Sequence, residues 1–387
     1  MLNFSYRNPV KVIFGTGTIA SLAKEVPPGS RVLITYGGGS VKATGTLDEV
    51  RAALTAHTVF EFGGIEPNPS HETLLRALTV VQTEQIDFIV AVGGGSVMDG
   101  SKFLAAIARH PGDPLEVLTS RGRCVRDALP LGVVVTLAAT GSETNNGGVV
   151  THLATHTKMA FSSPLLFPRF AIMDPAKTLT LPARQVGNGV VDAFVHVVEQ
   201  YLTYPVDGRI QDRYAEGILL TLMEEGPRAL SEPDNVDVRA NLMWAASQAL
   251  NGLIGAGVPQ DWSTHMLGHE LTAAHGLDHA QTLAVVLPAM LAERRQQKRD
   301  KLLQYATRVW GLDDRDGDED ERSSAAIAHT RDFFERMGVP TRLADYGIGA
   351  EAIPHLVSQL EAHGMTRLGE RQDIASEVSR RVYEACL

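Results

Sequence analysis

Four histidines fall within fifteen residues of this chain, at His265, His269, His275 and His279 in the stretch HMLGHELTAAHGLDH. Neutral imidazole is the commonest protein ligand for transition metals, so this density points either to a metal site or to a solvated histidine-rich helix. Distance sets what a metal would require. One continuous helix would hold His265 and His279 about 21 Å apart at 1.5 Å per residue, whereas zinc-like ions need ligand atoms at about 2 Å. The chain must therefore turn between them. HGLDH supplies a turn, with Gly276 suited to close one helix and Asp278 to cap the next, HAQTLAVVLPAM. His265 then stands on one helix and His279 in the first turn of another. His269, one turn on from His265 on the same face, could face a substrate, and His275 is expected at the surface or rim.

A second segment, VVDAFVHVVEQY, sets Asp192 and His196 four residues apart on one helical face. The two can grip one metal ion or form a structural hydrogen-bonded couple. Glu199, three residues further on, could support a ligand from outside.

Two copies of GGGSV, at 37–41 and 93–97, follow the strand-like runs RVLITY and IDFIVAV. Consecutive glycines open backbone N–H groups to an oxyanion, and a helix starting just after adds the positive end of its dipole. Lys42 and Met98 stand where the dinucleotide fingerprint needs its third glycine, so neither copy matches it. Two copies in the same setting still point to a phosphate-bearing cofactor. TLAATGSETNNGG (136–148) is a third small, polar loop after a strand, able to line the same sheet edge.

The elements that must carry these residues change character near Thr180. Before it, β-rich runs at 31–41, 86–97, 131–137 and 170–175 alternate with helical patterns, which predicts a mainly parallel sheet with crossovers. After it the apolar period is helical. RANLMWAASQALNGLIGAG (239–257) is apolar almost all round, as a helix buried among helices would be. The expected organisation is an α/β dinucleotide-binding domain over 1–180 and an all-α metal-binding, catalytic domain over 181–387. The acidic run DDRDGDEDE (313–321) fails as an EF-hand, because a loop aligned on Gly317 begins at Leu312 and ends at Ser323. A solvated loop between helices is expected there.

With 387 residues and 44% hydrophobic content, the chain suits about two globular domains. A formal charge of −10 argues against nucleic acid and anionic membranes as main partners. Cys124 and Cys386 provide no disulfide framework. MLNFSYRNPVKV lacks the regions of a signal peptide, and no apolar run reaches about 18 residues, so a cytoplasmic setting is expected.

In combination, DAFVH, HMLGH, a histidine fourteen residues after the first of that pair, GGGSVMD and ATGSE resemble the iron-containing (group III) alcohol dehydrogenase family. The likeness runs from VIFGTGT (12–18) to the C-terminal helices. It is strongest to the bacterial NADPH-dependent aldehyde reductase, or butanol-dehydrogenase-like, branch. The resemblance implies Asp192, His196, His265 and His279 as ligands of one divalent ion, zinc or iron, and His269 as an additional active-site histidine. It also implies Gly94, Gly95, Ser96 and Asp99 as the nucleotide loop, with Thr136, Thr140, Asn145 and Lys158 touching the cofactor. At the last ligand many relatives read Pro-His-Gly, where this chain has DHA. The implied activity is reversible hydride transfer between NADP(H) and an aldehyde or primary alcohol, and a homodimer is expected.

Two details narrow that expectation. NAD-using enzymes commonly place an acid at the end of an early strand, but here Tyr36, Gly37, Gly38 and Gly39 stand there and no acid follows before Asp48. Ser40, the glycine N–H groups and Lys42 could instead hold the 2′-phosphate of NADPH. GLIGAGVPQDW (252–262) could form an apolar substrate wall with Trp262 near its edge, and nothing near the site supplies an arginine clamp for a carboxylate. Uncharged short-to-medium aldehydes, in broad range, are therefore the expected substrates. Two alternatives stay open: glycerol-dehydrogenase- or dehydroquinate-synthase-like chemistry on the same architecture, and non-enzymatic metal or nucleotide binding.

Overall fold

Strand-forming runs with no polar alternation need apolar cover on both faces, which a parallel sheet flanked by helices provides. In the computed structural model, which describes residues 1–155 and 157–387, RVLITY forms β2 (Arg31–Tyr36) with Val32, Leu33 and Ile34 fully buried. The other strands of its sheet are β1 (Lys11–Phe14), β3 (Thr58–Phe62), β4 (Phe88–Gly93), β5 (Leu131–Val135) and β8 (Phe170–Met173). Their order is β1-β8-β5-β4-β2-β3, and all neighbours run parallel. A separate antiparallel hairpin joins β6 (Gly147–His152) to β7 (Thr157–Ser162).

This order puts the three small-residue loops side by side. The adjacent strands β2, β4 and β5 end level with one another, with Tyr36 opposite Val92 and Gly93 opposite Val135. The order in which strands are added also reverses at β2, with β3 on one side of it and β4, followed by β5 and β8, on the other. The carboxyl ends of strands at such a switch point are where open α/β sheets bind ligands.

The chain packs as two compact units. One comprises Arg7–Leu181 with Asp234–Ser247, and the other comprises Met1–Tyr6, Pro182–Pro233 and Gln248–Leu387. The expectation of one long helix over 239–257, buried among helices, is corrected in two ways. The helix is Val236–Ala249, and residues 250–257 form turns in which Gly252 and Gly257 adopt positive φ. Most of that helix belongs to the unit containing the sheet, with Met243 in the sheet's core and Trp244 44% exposed. The acidic run is a solvated segment that ends as a helix start: Asp318 accepts from the backbone N–H groups of Asp320 and Glu321, both at 2.9 Å, and caps Glu319–Arg336.

In the helical unit, Ala183–Tyr201, Ser263–His275 and His279–Glu293 carry the predicted metal ligands. Leu267, Leu271, Val285 and Val286 bury their inner faces against Leu356, Val357 and Tyr383. Tyr383 also donates its hydroxyl to the Leu267 carbonyl at 2.9 Å, which fixes the height of the second helix. Among the described residues, no helix is long and apolar enough to cross a membrane.

Close approach sets one testable contrast between two helical glycines. A Cβ on Gly187, one turn before Asp192, would lie 2.1 Å from the Met337 carbonyl oxygen, whereas one on Gly217 would meet nothing within 4 Å. Gly187→Ala should therefore lower unfolding free energy by about 1–3 kcal/mol or more, as overpacking does. Gly217→Ala should raise it by about 0.5–1 kcal/mol, through helix propensity. Denaturant titration of the two variants against the parent protein checks both signs.

Candidate metal centre and nucleotide loops

Gly276 ends the helix Ser263–His275 with φ +72°, and its N–H donates to the Thr272 carbonyl at 2.9 Å. Only a residue without a Cβ takes that conformation at little cost. Two residues later the Asp278 N–H donates to Gln281 Oε1 at 2.9 Å, and His279 opens the following helix. The turn predicted at HGLDH thus returns His279 to His265. Asp192 and His196 reach the same place from Ala183–Tyr201, with both side chains buried.

One potential ligand atom from each of Asp192, His196, His265 and His279 lies within 4.8 Å of the others. His196 Nε2 and His279 Nε2 stand 3.6 and 3.8 Å from Asp192 Oδ1. Those separations are too long for hydrogen bonds and close to the roughly 3.4 Å between two ligands on one tetrahedral ion. The His196 and His265 rings stack with centroids 4.8 Å apart, and His279 lies 5.1 Å from His265. Burial pushes the His196 imidazole down to about 4, against the pull of Asp192 and with help from His265, so it is neutral near pH 7 with a lone pair to give. One carboxylate and three imidazoles, three of the four side chains buried and His279 half-buried, fit a divalent transition metal.

Glu199 supports a ligand from outside, and that ligand is His265. Its Oε1 accepts from the Thr264 N–H at 2.7 Å, and its Oε2 hydrogen-bonds His265 Nδ1. That bond leaves His265 Nε2 as the ligand nitrogen. Burial and then the Asp261 carboxylate push the Glu199 carboxyl well above the usual carboxylate range, opposed by the Thr264 amide and the Lys298 ammonium. Lys298 is itself buried, 2.8 Å from Asp261 and 3.1 Å from Glu370, and donates to the Leu202 carbonyl at 2.7 Å.

Two further aromatic groups border the cluster. His269 is buried, with its ring 5.6 Å from His279 and 6.4 Å from His265, beside the four ligands rather than among them. Trp262 caps the helix in the left-handed region (φ +62°) and presents its ring edgewise to His265 at 5.2 Å and His196 at 6.2 Å. A bulky residue held in that region is strained, a state that recurs at functional sites. His275 is exposed at the helix end.

In the α/β unit, Gly37, Gly38 and Gly39 follow β2 and lead into a short helix beginning at Ser40. Gly94 caps the helix Gly95–Ile107, which carries Ser96 and Asp99. A Cβ on Gly95 would lie 2.4 Å from Thr140 Cγ2, so the loop after β5 can pack there only against glycine. Thr136 joins the same place through its N–H to the Gly93 carbonyl at 3.0 Å. Ser96 Oγ accepts from the Asn68 N–H at 3.4 Å.

Asp99 and Asn145 are engaged within the protein. Asp99 accepts from Ser142 Oγ at 2.6 Å and from the Val149 N–H at 2.9 Å, while Asn145 Oδ1 accepts from Lys102 Nζ at 2.8 Å and the Gly147 N–H at 3.1 Å. Both contacts dock the β6–β7 hairpin, where Lys158 pairs in register with Thr151. Lys102 is the hub that sequence reasoning missed. Fully buried, it also donates to Ser142 Oγ (2.8 Å) and the Gly147 carbonyl (2.7 Å). Burial lowers its ammonium to about 8, opposed by Asp99 and Glu143. The available signal was a lysine three residues after Asp99 in the otherwise apolar run SKFLAAIA.

Two sequence-family models match the chain: iron-containing alcohol dehydrogenase over residues 9–175, and the C-terminal domain of the Fe-containing alcohol dehydrogenase family over 187–372. The chain belongs to the iron-containing alcohol dehydrogenase family. Among this family's members, the NADPH-dependent aldehyde reductase YqhD of Escherichia coli K12 is 61% identical over 387 residues, covering all of both chains. Its crystal structure superposes with a TM-score of 0.98 over 100% of this chain and 99% of that one. The probable NADH-dependent butanol dehydrogenase 1 of Bacillus subtilis is 38% identical over 367 residues, 94% of this chain and 95% of its own. The structure of NADH-dependent butanol dehydrogenase A from Thermotoga maritima has a TM-score of 0.95 at 32% identity, covering 100% of this chain and 99% of that one.

The Glu199–His265 bond yields a prediction about metal retention. Glu199→Ala should weaken metal binding about 10- to 100-fold, the range found when an outer partner of a ligand is removed. His265→Ala and His279→Ala should lose more. Competition with a chromophoric chelator measures the change, and an unaltered affinity in Glu199→Ala would show that the bond does not orient a ligand.

Proposed function

We propose that this chain is an NADPH-dependent aldehyde reductase, working reversibly as a primary-alcohol dehydrogenase on uncharged short-to-medium aldehydes. The observation that carries the proposal is the convergence of Asp192, His196, His265 and His279 in a family member whose relative YqhD is named for that activity. These four residues would hold one divalent ion, zinc or iron, per chain. When bound, the metal supplies Lewis acidity toward a carbonyl oxygen, and NADPH supplies the hydride. His269, buried beside His279, is assigned to exchange a proton with the substrate oxygen, directly or through water. Trp262, held against two of the ligands, is assigned to exclude water from them.

Cofactor binding is assigned to residues 1–180 and metal binding to residues 181–387. Gly37, Gly38, Gly39, Ser40, Gly94, Gly95 and Ser96 would offer N–H and hydroxyl donors at adjacent strand ends, with Thr136 and Thr140 beside them. Asp99 and Asn145 act by docking the hairpin that carries Lys158. The acidic charge and free Cys124 and Cys386 favour a small-molecule substrate and a reducing cytoplasm over nucleic acid or a membrane, and a homodimer is the expected assembly.

The preference for NADPH rests on the first glycine loop. Lys42 Nζ lies 4.9 Å from the centre of the Tyr36 ring, which holds its positive charge beside the loop. Glu61, on the neighbouring strand, is engaged by the Tyr36 hydroxyl at 3.2 Å and by Arg51 Nε at 2.6 Å. Two charge-assisted contacts to a 2′-phosphate, at about 1.5–3 kcal/mol each, would give on the order of a hundredfold or more over NADH. Comparing kcat/KM for the two cofactors with butanal, before and after chelation, tests the whole assignment. A Cβ at Gly38 meets nothing within 4 Å, so Gly38→Asp should fold normally and erode the preference. Equal efficiency with NADH, or turnover indifferent to chelation, would overturn it.

A further inference from the structure

A second set of ligand-capable atoms converges in the α/β unit. His71 and Glu72 open the helix His71–Thr83, His152 closes β6, and one potential ligand atom from each lies within 4.8 Å of the others. Backbone contacts bring these elements together. Ser70 bridges Thr151, the Thr151 N–H donates to the Pro69 carbonyl at 2.9 Å, and the Leu153 N–H donates to Glu72 Oε1 at 3.2 Å.

His71 is only 8% exposed, yet its Nε2 is buried with no hydrogen-bond partner among the described residues. A buried polar atom left in that state is costly. His152 Nδ1 is taken up by Thr155 Oγ1 at 2.9 Å, which leaves its Nε2, 4.0 Å from Glu72 Oε1, as the available nitrogen. The His71 and His152 rings meet edge to face with centroids 5.5 Å apart. The His71–Thr83 helix N-terminus disfavours a cation, and Glu72 in its first turn offsets that.

We infer that His71, Glu72 and His152 form a second divalent-metal site, suited to Zn²⁺, that ties the β6–β7 hairpin to the helix His71–Thr83. Two imidazoles and one carboxylate are a sufficient set for zinc with water completing the shell. Three protein ligands in place of four make this the weaker and more exchangeable of the two sites. The inference stands on these residues alone and does not require the activity proposed above.

Equilibrium dialysis of the full-length protein against Zn²⁺ tests it. The parent protein, already holding its first equivalent, should take up a saturable second one. His152→Ala and the shape-conserving Glu72→Gln should each weaken that second equivalent by at least about tenfold. His110→Ala, which removes a histidine paired with Glu116, should leave it unchanged. His265→Ala should lose the first equivalent and keep the second, so that failure at one site is read separately from failure at the other. No second equivalent in the parent protein, or one that survives both His152→Ala and Glu72→Gln, would overturn the inference.

Discussion

Holding one carboxylate and three imidazoles, all but His279 buried, within 4.8 Å of one another is the constraint on which the helical unit depends. Asp192 is almost fully buried, and a buried carboxylate is tolerable only when positive charge or hydrogen bonds compensate it. One carboxylate and three imidazoles converging on one point are a donor set suited to a divalent cation. Much of the surrounding structure serves to hold that geometry. The left-handed turn at Gly276 returns the chain, Tyr383 fixes the second helix, and Glu199 turns the His265 ring. Lys298 then balances Asp261 and Glu370 behind Glu199.

The α/β unit answers a different demand, which is to bring several backbone N–H groups to one edge without enclosing them. Parallel strands do this by topology, since β2, β4 and β5 deliver their loops in the same direction and at the same level. Side chains then lock the loops. Thr140 closes on Gly95, and Lys102 with Asp99 and Asn145 fastens the hairpin to the helix behind it. A buried lysine with acceptors on three sides is rigid, because losing any one acceptor leaves a charge in an apolar interior.

What was legible in the sequence follows from how local each signal is. HGLDH was readable because both cap residues lie within the turn itself, and the runs that became β2, β4, β5 and β8 were readable because burial on both faces demands unbroken apolar sequence. The β6–β7 hairpin was not readable, since TKMAFS and GGVVTH are short, half-buried and polar in part. The roles of Lys102 and Glu199 depend on residues 43 and 66 positions away, at Asn145 and His265, which no local spacing reports. The helix Val236–Ala249 misled for the same reason. Its composition says only that it is apolar, and its packing against the sheet is a tertiary fact.

The most direct test of the buried four-ligand centre is a titration of metal-stripped protein with zinc or ferrous ion, under anaerobic conditions, while following NADPH oxidation by an uncharged aldehyde. Activity should be absent in the stripped protein, rise in proportion to added metal and level off at one equivalent per chain. Full turnover without metal, or activity that climbs past one equivalent, would contradict a single catalytic ion held by Asp192, His196, His265 and His279.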